Sequence, residues 1–155
     1  MHERMVYDWY QQHKTGLYRF ALSILKDAHL AEDVLQEAFV RMLSLNRLPD
    51  TEKAQAWLYR VVRNICYDIL RKRKREADEL PAAVTCPEET WEFTELIAPL
   101  PQKEQEILAL RFIGGISCSF WGREIAQIMG MTVHSAKKRY ERAIHILRTE
   151  MEVML

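Results

Sequence analysis

Apolar residues recur along this chain at steps of three and four, which is the spacing of one face of an α-helix. Runs that alternate apolar and polar residues between turn residues, as strands do, are missing from the sequence. The pattern therefore predicts an all-α fold. The predicted helices are Glu3 to His13, Leu17 to Lys26, Leu30 to Leu45, Glu52 to Arg75, Gln102 to Ile113, Trp121 to Met129 and Val133 to Met151.

The charges divide the chain into three parts, although they sum to zero over its 155 residues. Residues 1–75 carry 14 basic and 9 acidic side chains, and residues 101–155 carry 8 and 6. Residues 76–100 carry 7 acids and no base, and the stretch 76–101 contains four of the five prolines. Because proline interrupts regular structure, residues 76–100 are predicted to form an acidic linker with a helix around Trp91 to Ala98. The linker would join two small helical domains, residues 1–75 and 101–155.

Several classes of protein do not fit this sequence. The three cysteines lie far apart and no Cys/His spacing typical of a metal site occurs, so no metal or disulfide is expected. Uncharged stretches are too short to cross a bilayer, and no signal pattern precedes them, so we expect a cytoplasmic protein without membrane insertion. No phosphate loop, carboxylate pair or nucleophile with a nearby base is evident, so neither an enzyme nor a cofactor is expected.

The C-terminal stretch "GREIAQIMGMTVHSAKKRYERA" has the spacing of a helix-turn-helix motif. Ala126 allows close approach of two helices, Gly130 turns the chain, and Thr132 is placed to cap the second helix. The predicted buried side consists of Ile125, Met129, Met131, Ala136, Tyr140 and Leu147.

The other side of this second helix carries His134, Lys137, Lys138 and Glu141, with Ser135, Arg139 and Arg142 beside them. Such a helix suits a major groove, with its cations on phosphates and its central side chains on base edges. The alternative interpretation is an ordinary basic surface helix in a helical hairpin.

The stretch "AWLYRVVRNICYDILRKRKR" has an apolar stripe of Leu58, Val61, Val62, Ile65 and Ile69. The residues predicted to face away from it, named here the basic-aromatic face, are Trp57, Tyr59, Arg60, Arg63, Asn64, Tyr67, Arg71 and Lys74. Aromatic rings stack on unpaired bases while cations follow the nucleic-acid backbone, so this composition suits single-stranded DNA. A solvated helix face with a basic end is equally consistent with the pattern.

The preceding helix, "AEDVLQEAFVRML", is predicted to bury Val34 or Leu35, Ala38, Phe39 and Met42. Its opposite side, named here the acidic face, carries Asp33, Gln36, Glu37 and Val40. Like charges four residues apart mildly destabilise a helix, and a basic partner would compensate for them. A solvated acidic face would need no partner.

Taken together, these residues resemble the extracytoplasmic-function (ECF) group of bacterial RNA polymerase sigma factors, within the sigma-70 family. The matching stretches cover nearly the whole chain: "YRFALSILKDAHLAEDVLQEAFVRML", "AWLYRVVRNICYDILRKRKR", "LPQKEQEILALRFIGGIS" and "EIAQIMGMTVHSAKKRYERAIHILR". The resemblance implies that residues 1–75 are sigma region 2, a four-helix domain, and that residues 101–155 are sigma region 4.

The resemblance also implies partners and roles. Asp33, Gln36 and Glu37 would contact the clamp helices of the polymerase β′ subunit, and region 4 would pack on the β flap. The helix Trp57 to Arg73 would bind and open the -10 promoter element, and the loop Asn46 to Lys53 would capture a flipped base. Lys137, Lys138 and Glu141 would read the -35 element, with Ser135, Arg139 and Arg142 on phosphates. Members of the family commonly have an anti-sigma partner, so one is implied here as well.

Two features depart from the family pattern. Family members usually have two or three residues between "GGIS" and "EIA", whereas this chain has "CSFWGR", Cys118 to Arg123, so the orientation of region 4 is open. Glu141 is an unusual base-reading residue, which either accepts from a cytosine amino group or pairs with Lys137. An autonomous helix-turn-helix regulator, which binds duplex DNA as a dimer, is the alternative function. It leaves the acidic face and the basic-aromatic face unexplained.

Overall fold

The computed structural model describes residues 2–76, 95–113, 116 and 121–154, and every regular element in these ranges is helical, as predicted. The chain divides into two compact units, Met1–Cys86 and Pro87–Leu155. The first unit contains α1 (His2–Leu25), α2 (Ala28–Leu43) and α3 (Thr51–Arg75). The second contains α4 (Gln102–Leu108), a π-helical turn (Ala109–Ile113), α5 (Trp121–Met129) and α6 (Val133–Met154). Within the described residues, no helix has the length and apolar character needed to cross a membrane.

Helix α1 is continuous, so the predicted break between His13 and Leu17 is wrong. Gly16 lies at this point of α1, and glycine inside a helix costs about 1 kcal/mol relative to alanine. The side chains on both sides of this glycine are buried, among them Trp9, Leu17 and Phe20. Burying a large apolar side chain contributes about 1.5–3 kcal/mol, so packing of this one face outweighs the local cost.

The two residues after α1 form a sharp corner. Lys26 adopts a φ of 56° and ends α1, with its N–H donating to the carbonyl of Leu22 at 2.8 Å. Asp27 then caps α2, since its carboxylate Oδ1 accepts from the N–H of Leu30 at 3.2 Å. Such a short connection leaves α1 and α2 side by side as a helical hairpin.

Helix α3 packs against both α1 and α2, and this double contact corrects one prediction. Tyr59, predicted to be on the outer face, is 1% exposed, and its ring centroid lies 5.6 Å from that of Phe20. Leu58, Val62 and Cys66 are buried as well, so the buried arc is wider than a single stripe. Burial raises the pKa of the Tyr59 hydroxyl, because the phenolate would lose its hydration. Tyr59 is therefore a core residue.

The core of the second unit begins before residue 101. Ile97 and Leu100 are buried and cluster with Leu108 and Ala143, while Tyr140 and Ile144 pack against them. Residues 95–97 are helical, which is the described end of the helix predicted around Trp91 to Ala98. Residues 77–94, most of the predicted linker, lie outside the described residues.

The predicted helix Gln102 to Ile113 changes character after Leu108, where α4 passes into the π-helical turn. Arg111 in this turn places its guanidinium 4.4 Å from the ring centroid of Trp121 and 5.1 Å from that of Tyr140. The two rings are themselves 4.8 Å apart. Trp121, which belongs to the extra residues Cys118 to Arg123, thus contributes to an aromatic cluster of the second unit; Cys118 to Phe120 lie outside the described residues.

Replacing Tyr59 tests its place in the core. Tyr59→Ala removes a fully buried ring, so the free energy of unfolding should fall by about 3–5 kcal/mol, as for other large aromatic truncations. Tyr7 is 61% exposed, so Tyr7→Ala should change the free energy of unfolding by no more than about 0.5 kcal/mol. Urea denaturation of both variants makes the comparison. Equal effects would contradict the assignment of Tyr59 to the core.

Glu124 on α5 makes the stability of the second unit dependent on pH. Its Oε2 atom is buried without a hydrogen-bond partner, and burial raises the pKa of the carboxyl group above the ordinary 4.5. Folding therefore favours the protonated form of the Glu124 carboxyl group. The stability that this group contributes to the second unit is fully present below about pH 4.5 and is lost as the pH rises through the raised pKa.

Glu124→Gln should raise the unfolding temperature at pH 7, and the gain should disappear below pH 4.5, where the wild-type side chain is protonated in both states. Calorimetry across this pH range tests it, with Glu32→Gln, a change at an exposed acid of α2, as the control. A gain that is the same at both ends of the range would show that the ionised carboxylate is not the cause.

Candidate nucleic-acid and protein interfaces

The acidic face of α2 is exposed along its whole length, as predicted. Asp33, Gln36, Glu37 and Val40 are all exposed. The opposite side, formed by Val34, Leu35, Ala38, Phe39 and Met42, is at most 6% exposed. Val40 is 58% exposed, so an apolar side chain lies among the polar ones. Protein interfaces have this mixed polar and apolar character.

One acid of this face has a partner on its own helix. Arg41 Nη2 lies 2.9 Å from Glu37 Oε1, and both side chains are about half exposed. An exposed pair of this spacing contributes about 0.3–0.5 kcal/mol. The repulsion predicted between Asp33 and Glu37 is therefore reduced by Arg41, and this repulsion alone does not require an external basic partner.

The basic-aromatic face of α3 is exposed at four of its eight positions, which is less than predicted. Arg60, Asn64, Arg71 and Lys74 are exposed, and Trp57, Arg63 and Tyr67 are partly buried. The Arg63 guanidinium lies over the Tyr67 ring, 5.0 Å from its centroid. This contact leaves a cation and an aromatic ring together at the surface, where a phosphate and a base could each be bound.

The basic C-terminal end of α3 forms an ion pair with the corner between α1 and α2. Arg73 Nη2 lies 3.5 Å from Oδ2 of Asp27, the same side chain that caps α2. Arg71 pairs with Asp68 one turn earlier. Cations in the last turn of a helix also interact favourably with its dipole, which gives this segment a structural role as well. Sequence analysis did not single out Asp27, although an Asp immediately before an apolar helical run is a recognisable capping signal.

The loop predicted to run from Asn46 to Lys53 ends earlier in the structure. Helix α3 begins at Thr51, and the N–H of Lys53 donates to the carbonyl of Asp50 at 2.8 Å. Asn46 lies in a bend before it, and both Asn46 and Lys53 are exposed.

The helix-turn-helix geometry predicted for the second unit is confirmed. Gly130 has a φ of +67°, and no atom lies within 4 Å of a Cβ added there, so the backbone conformation alone favours glycine. Thr132 Oγ1 accepts from the N–H of Ser135 at 3.1 Å, which caps α6 as predicted. Ile125, Ala126, Met129 and Ala136 are buried between the helices. Met131, Tyr140 and Leu147 are only partly buried.

The outer side of α6 presents His134, Lys137, Lys138 and Glu141, which are all exposed. The stem of Lys137 lies over Gly122 on α5, where an added Cβ would come within 2.9 Å of the lysine Cε. Gly122 is the fifth of the six residues Cys118 to Arg123, so this departure from the family pattern includes the glycine over which Lys137 lies.

The two arginines beside these residues are not equivalent to the lysines. Arg139 Nη1 lies 3.1 Å from Oε1 of Glu104 on α4, and Arg142 Nη1 lies 3.9 Å from the same oxygen. Glu104 is 1% exposed. The sequence pattern did not mark Glu104 as a functional residue, although it precedes Ile107 and Leu108 at the three- and four-residue steps of the buried face of α4.

The described residues show no metal centre: they contain no group of three or more His, Cys, Asp or Glu side chains that could hold a metal ion. The candidate site consists of exposed positions on α2, α3 and α6, which carry charged side chains and, on α3, partly buried aromatic rings.

Comparisons with known proteins show the family of this chain. The family model for Sigma-70 region 2 matches residues 9–76, which includes most of the first unit. The ECF RNA polymerase sigma factor SigM of Bacillus subtilis (strain 168) is 34% identical over 146 residues, which cover 86% of this chain and 87% of SigM.

Two solved structures share the fold. CnrH, solved in complex with the cytosolic domain of CnrY, superposes with a TM-score of 0.74 at 22% identity, covering 97% of this chain and 90% of CnrH. The sigma factor RpoE from Bartonella quintana, solved with the anti-sigma factor NepR, gives a TM-score of 0.65 at 25% identity, covering 94% of this chain and 98% of RpoE. Given the sequence relatives, the Sigma-70 region 2 match and these folds, the chain belongs to the ECF sigma factors of the sigma-70 family.

Proposed function

We propose that this protein binds core RNA polymerase in the cytoplasm and directs it to promoters by recognising their -10 and -35 elements, without catalysing a reaction itself. The observation that carries the proposal is the separation of two exposed faces on the first unit. The acidic face lies on α2 and the basic-aromatic face lies on α3, and each has its apolar side in one shared core.

In this proposal, residues 1–75 form region 2, residues 76–100 form the linker, and residues 101–155 form region 4. The end of the linker contributes Ile97 and Leu100 to the core of the second unit. Asp33, Gln36 and Glu37 bind the β′ clamp helices, and region 4 packs on the β flap. Arg60, Arg63, Asn64, Tyr67, Arg71 and Arg73 bind the -10 element, with Trp57 beside them and with Asn46 and Lys53 at the start of α3. Thr132, His134, Ser135, Lys137, Lys138, Glu141 and Arg142 face the -35 element.

Burial of Tyr59 changes the energetics of promoter opening. Separating duplex DNA costs about 1.4 kcal/mol per base-pair step, and stacking on an aromatic ring returns about 1–3 kcal/mol per base. With Tyr59 in the core, Trp57 and Tyr67 are the two rings of this face that remain for stacking. Stacking on two rings would offset the separation of only a few base-pair steps. We therefore infer that contacts with polymerase supply the remaining free energy of promoter opening.

Regulation by an anti-sigma factor is also part of the proposal. RpoE of Bartonella quintana was solved with the anti-sigma factor NepR, and that chain is covered almost completely by the present one. A protein of the same class is therefore the expected inhibitor of this factor.

Polymerase binding should depend on the acidic face. Truncating charged groups in a buried interface costs about 2–5 kcal/mol, so Asp33→Ala with Glu37→Ala should weaken binding to bacterial core RNA polymerase about 30-fold or more. Fluorescence anisotropy of the labelled full chain measures this affinity. Glu3→Ala with Asp8→Ala removes the same charge from exposed positions of α1 and should leave binding within about twofold.

Equal losses in both double variants would indicate a general charge effect and contradict the assignment of the acidic face. A wild-type chain that ignores polymerase but binds duplex DNA as a dimer would instead identify an autonomous helix-turn-helix regulator.

Promoter opening should depend on the ring of Tyr67. With a promoter identified by run-off transcription of genomic fragments, Tyr67→Ala should reduce open-complex formation about 5- to 150-fold, the equivalent of about 1–3 kcal/mol of stacking. Tyr67→Phe keeps the ring and should retain most of the activity. Fluorescence of 2-aminopurine placed in the -10 element reports opening. If Tyr67→Phe failed as badly as Tyr67→Ala, the hydroxyl group and not the ring would be responsible.

A further inference from the structure

Glu104 is a buried carboxylate on the face of α4 that packs against α6. It lies in the first turn of α4, its side chain is 2% exposed, and Ile107 and Leu108 on the same face are fully buried. A carboxylate in such surroundings loses its hydration and has to be compensated by cations within the protein.

Two cations of α6 approach it in different ways. Arg139 donates a hydrogen bond of 3.1 Å to Oε1, and the arginine side chain is 32% exposed. Arg142 lies 3.9 Å from the same oxygen, beyond hydrogen-bond distance, and its side chain is 63% exposed. Oε2 is buried without a hydrogen-bond partner. Glu104 therefore depends chiefly on Arg139, while Arg142 retains donors that face solvent.

Arg139 and Arg142 therefore differ in the hydrogen-bond donors that they can offer to nucleic acid. A guanidinium presents five donors in a fixed plane, and those used on a buried carboxylate are not available to a phosphate. The affinity of a protein for duplex DNA and its salt dependence follow the number of phosphates that its cations neutralise. The sequence alone offers Arg139 and Arg142 as equal phosphate ligands, whereas the structure separates them.

We propose that Glu104 is a positioning residue which assigns different roles to the two arginines: Arg139 anchors α6 to α4, and Arg142, held loosely at the edge of the same carboxylate, is the phosphate ligand. The single negative charge of Glu104 also reduces the charge that α6 presents to DNA. The inference deepens the proposed -35 binding of the second unit and rests on it.

The test compares full-length variants on a mixed-sequence 30-base-pair duplex, with anisotropy recorded over a range of salt concentrations. Arg142→Gln should reduce the slope of log affinity against log salt by about 0.9, the value for one phosphate contact. Arg139→Gln should leave the slope unchanged and lower the unfolding temperature of the second unit. Glu104→Gln should steepen the slope by about 0.9, because Arg139 becomes free to bind a phosphate.

Two further variants separate this role from general effects. Glu150→Gln adds the same charge to α6 far from Glu104 and should change the slope by clearly less than 0.9. In the double variant Glu104→Gln with Arg139→Gln, the loss of unfolding temperature should be smaller than the sum of the single losses, because both changes remove one interaction.

Equal slope changes in Arg139→Gln and Arg142→Gln would overturn the division of roles. Should Glu104→Gln fail to fold, the comparison of the two arginine variants still decides the proposal. Absence of duplex binding by every variant, Glu104→Gln included, would overturn the DNA-binding part. The proposed function is tested separately by polymerase binding, so a chain that binds polymerase but shows equal slopes would refute this inference alone.

Discussion

Helix α3 has to bury a wide arc against two neighbouring helices while it keeps a line of cations in water. Leu58, Val62 and Cys66 are completely buried, and Arg60 and Asn64 on the other side are exposed. Because one helix does both, the core of the first unit determines the direction in which the cations and aromatic rings point. For the proposed opening of the -10 element, a rigid helix is also better suited than a loop to hold side chains in a defined geometry.

The corner between α1 and α2 extends this constraint to the end of α3. Asp27 ends the connection after Lys26, caps α2 through Leu30 and pairs with Arg73, which lies 46 residues later in the chain. The side chain of Asp27, at the end of the α1–α2 connection, thus contacts both α2 and α3. The shared core of α1, α2 and α3 fixes the acidic face relative to the basic-aromatic face, and the partly exposed ion pair between Asp27 and Arg73 adds a small contribution.

In the second unit, some charged side chains pair with a buried residue while others lie at the surface. The formal net charge of residues 101–155 is only +2, and part of the positive charge of α6 already compensates Glu104. A weakly charged unit does not bind bulk DNA strongly by itself. In the proposed function, each unit makes one modest DNA contact, and both would become effective on polymerase because the second contact is then made at high effective concentration.

The sequence by itself determined the helical class, the exposed and buried sides of α2, the cap at Thr132 and the turn at Gly130. These features are local, because the helical period of 3.6 residues, a helix cap and a turn each depend on residues that are close together in the sequence. Only the tertiary structure decided that α1 runs through Gly16, that Tyr59 is in the core and that Arg139 is bound to Glu104. Each of these depends on a helix distant in sequence: α2 and α3 cover the face around Gly16, α1 places Phe20 against Tyr59, and α4 brings a buried carboxylate to α6. Periodicity reveals which side of a helix is apolar, but the width of the buried arc and the partner of a charge are set by what packs against it.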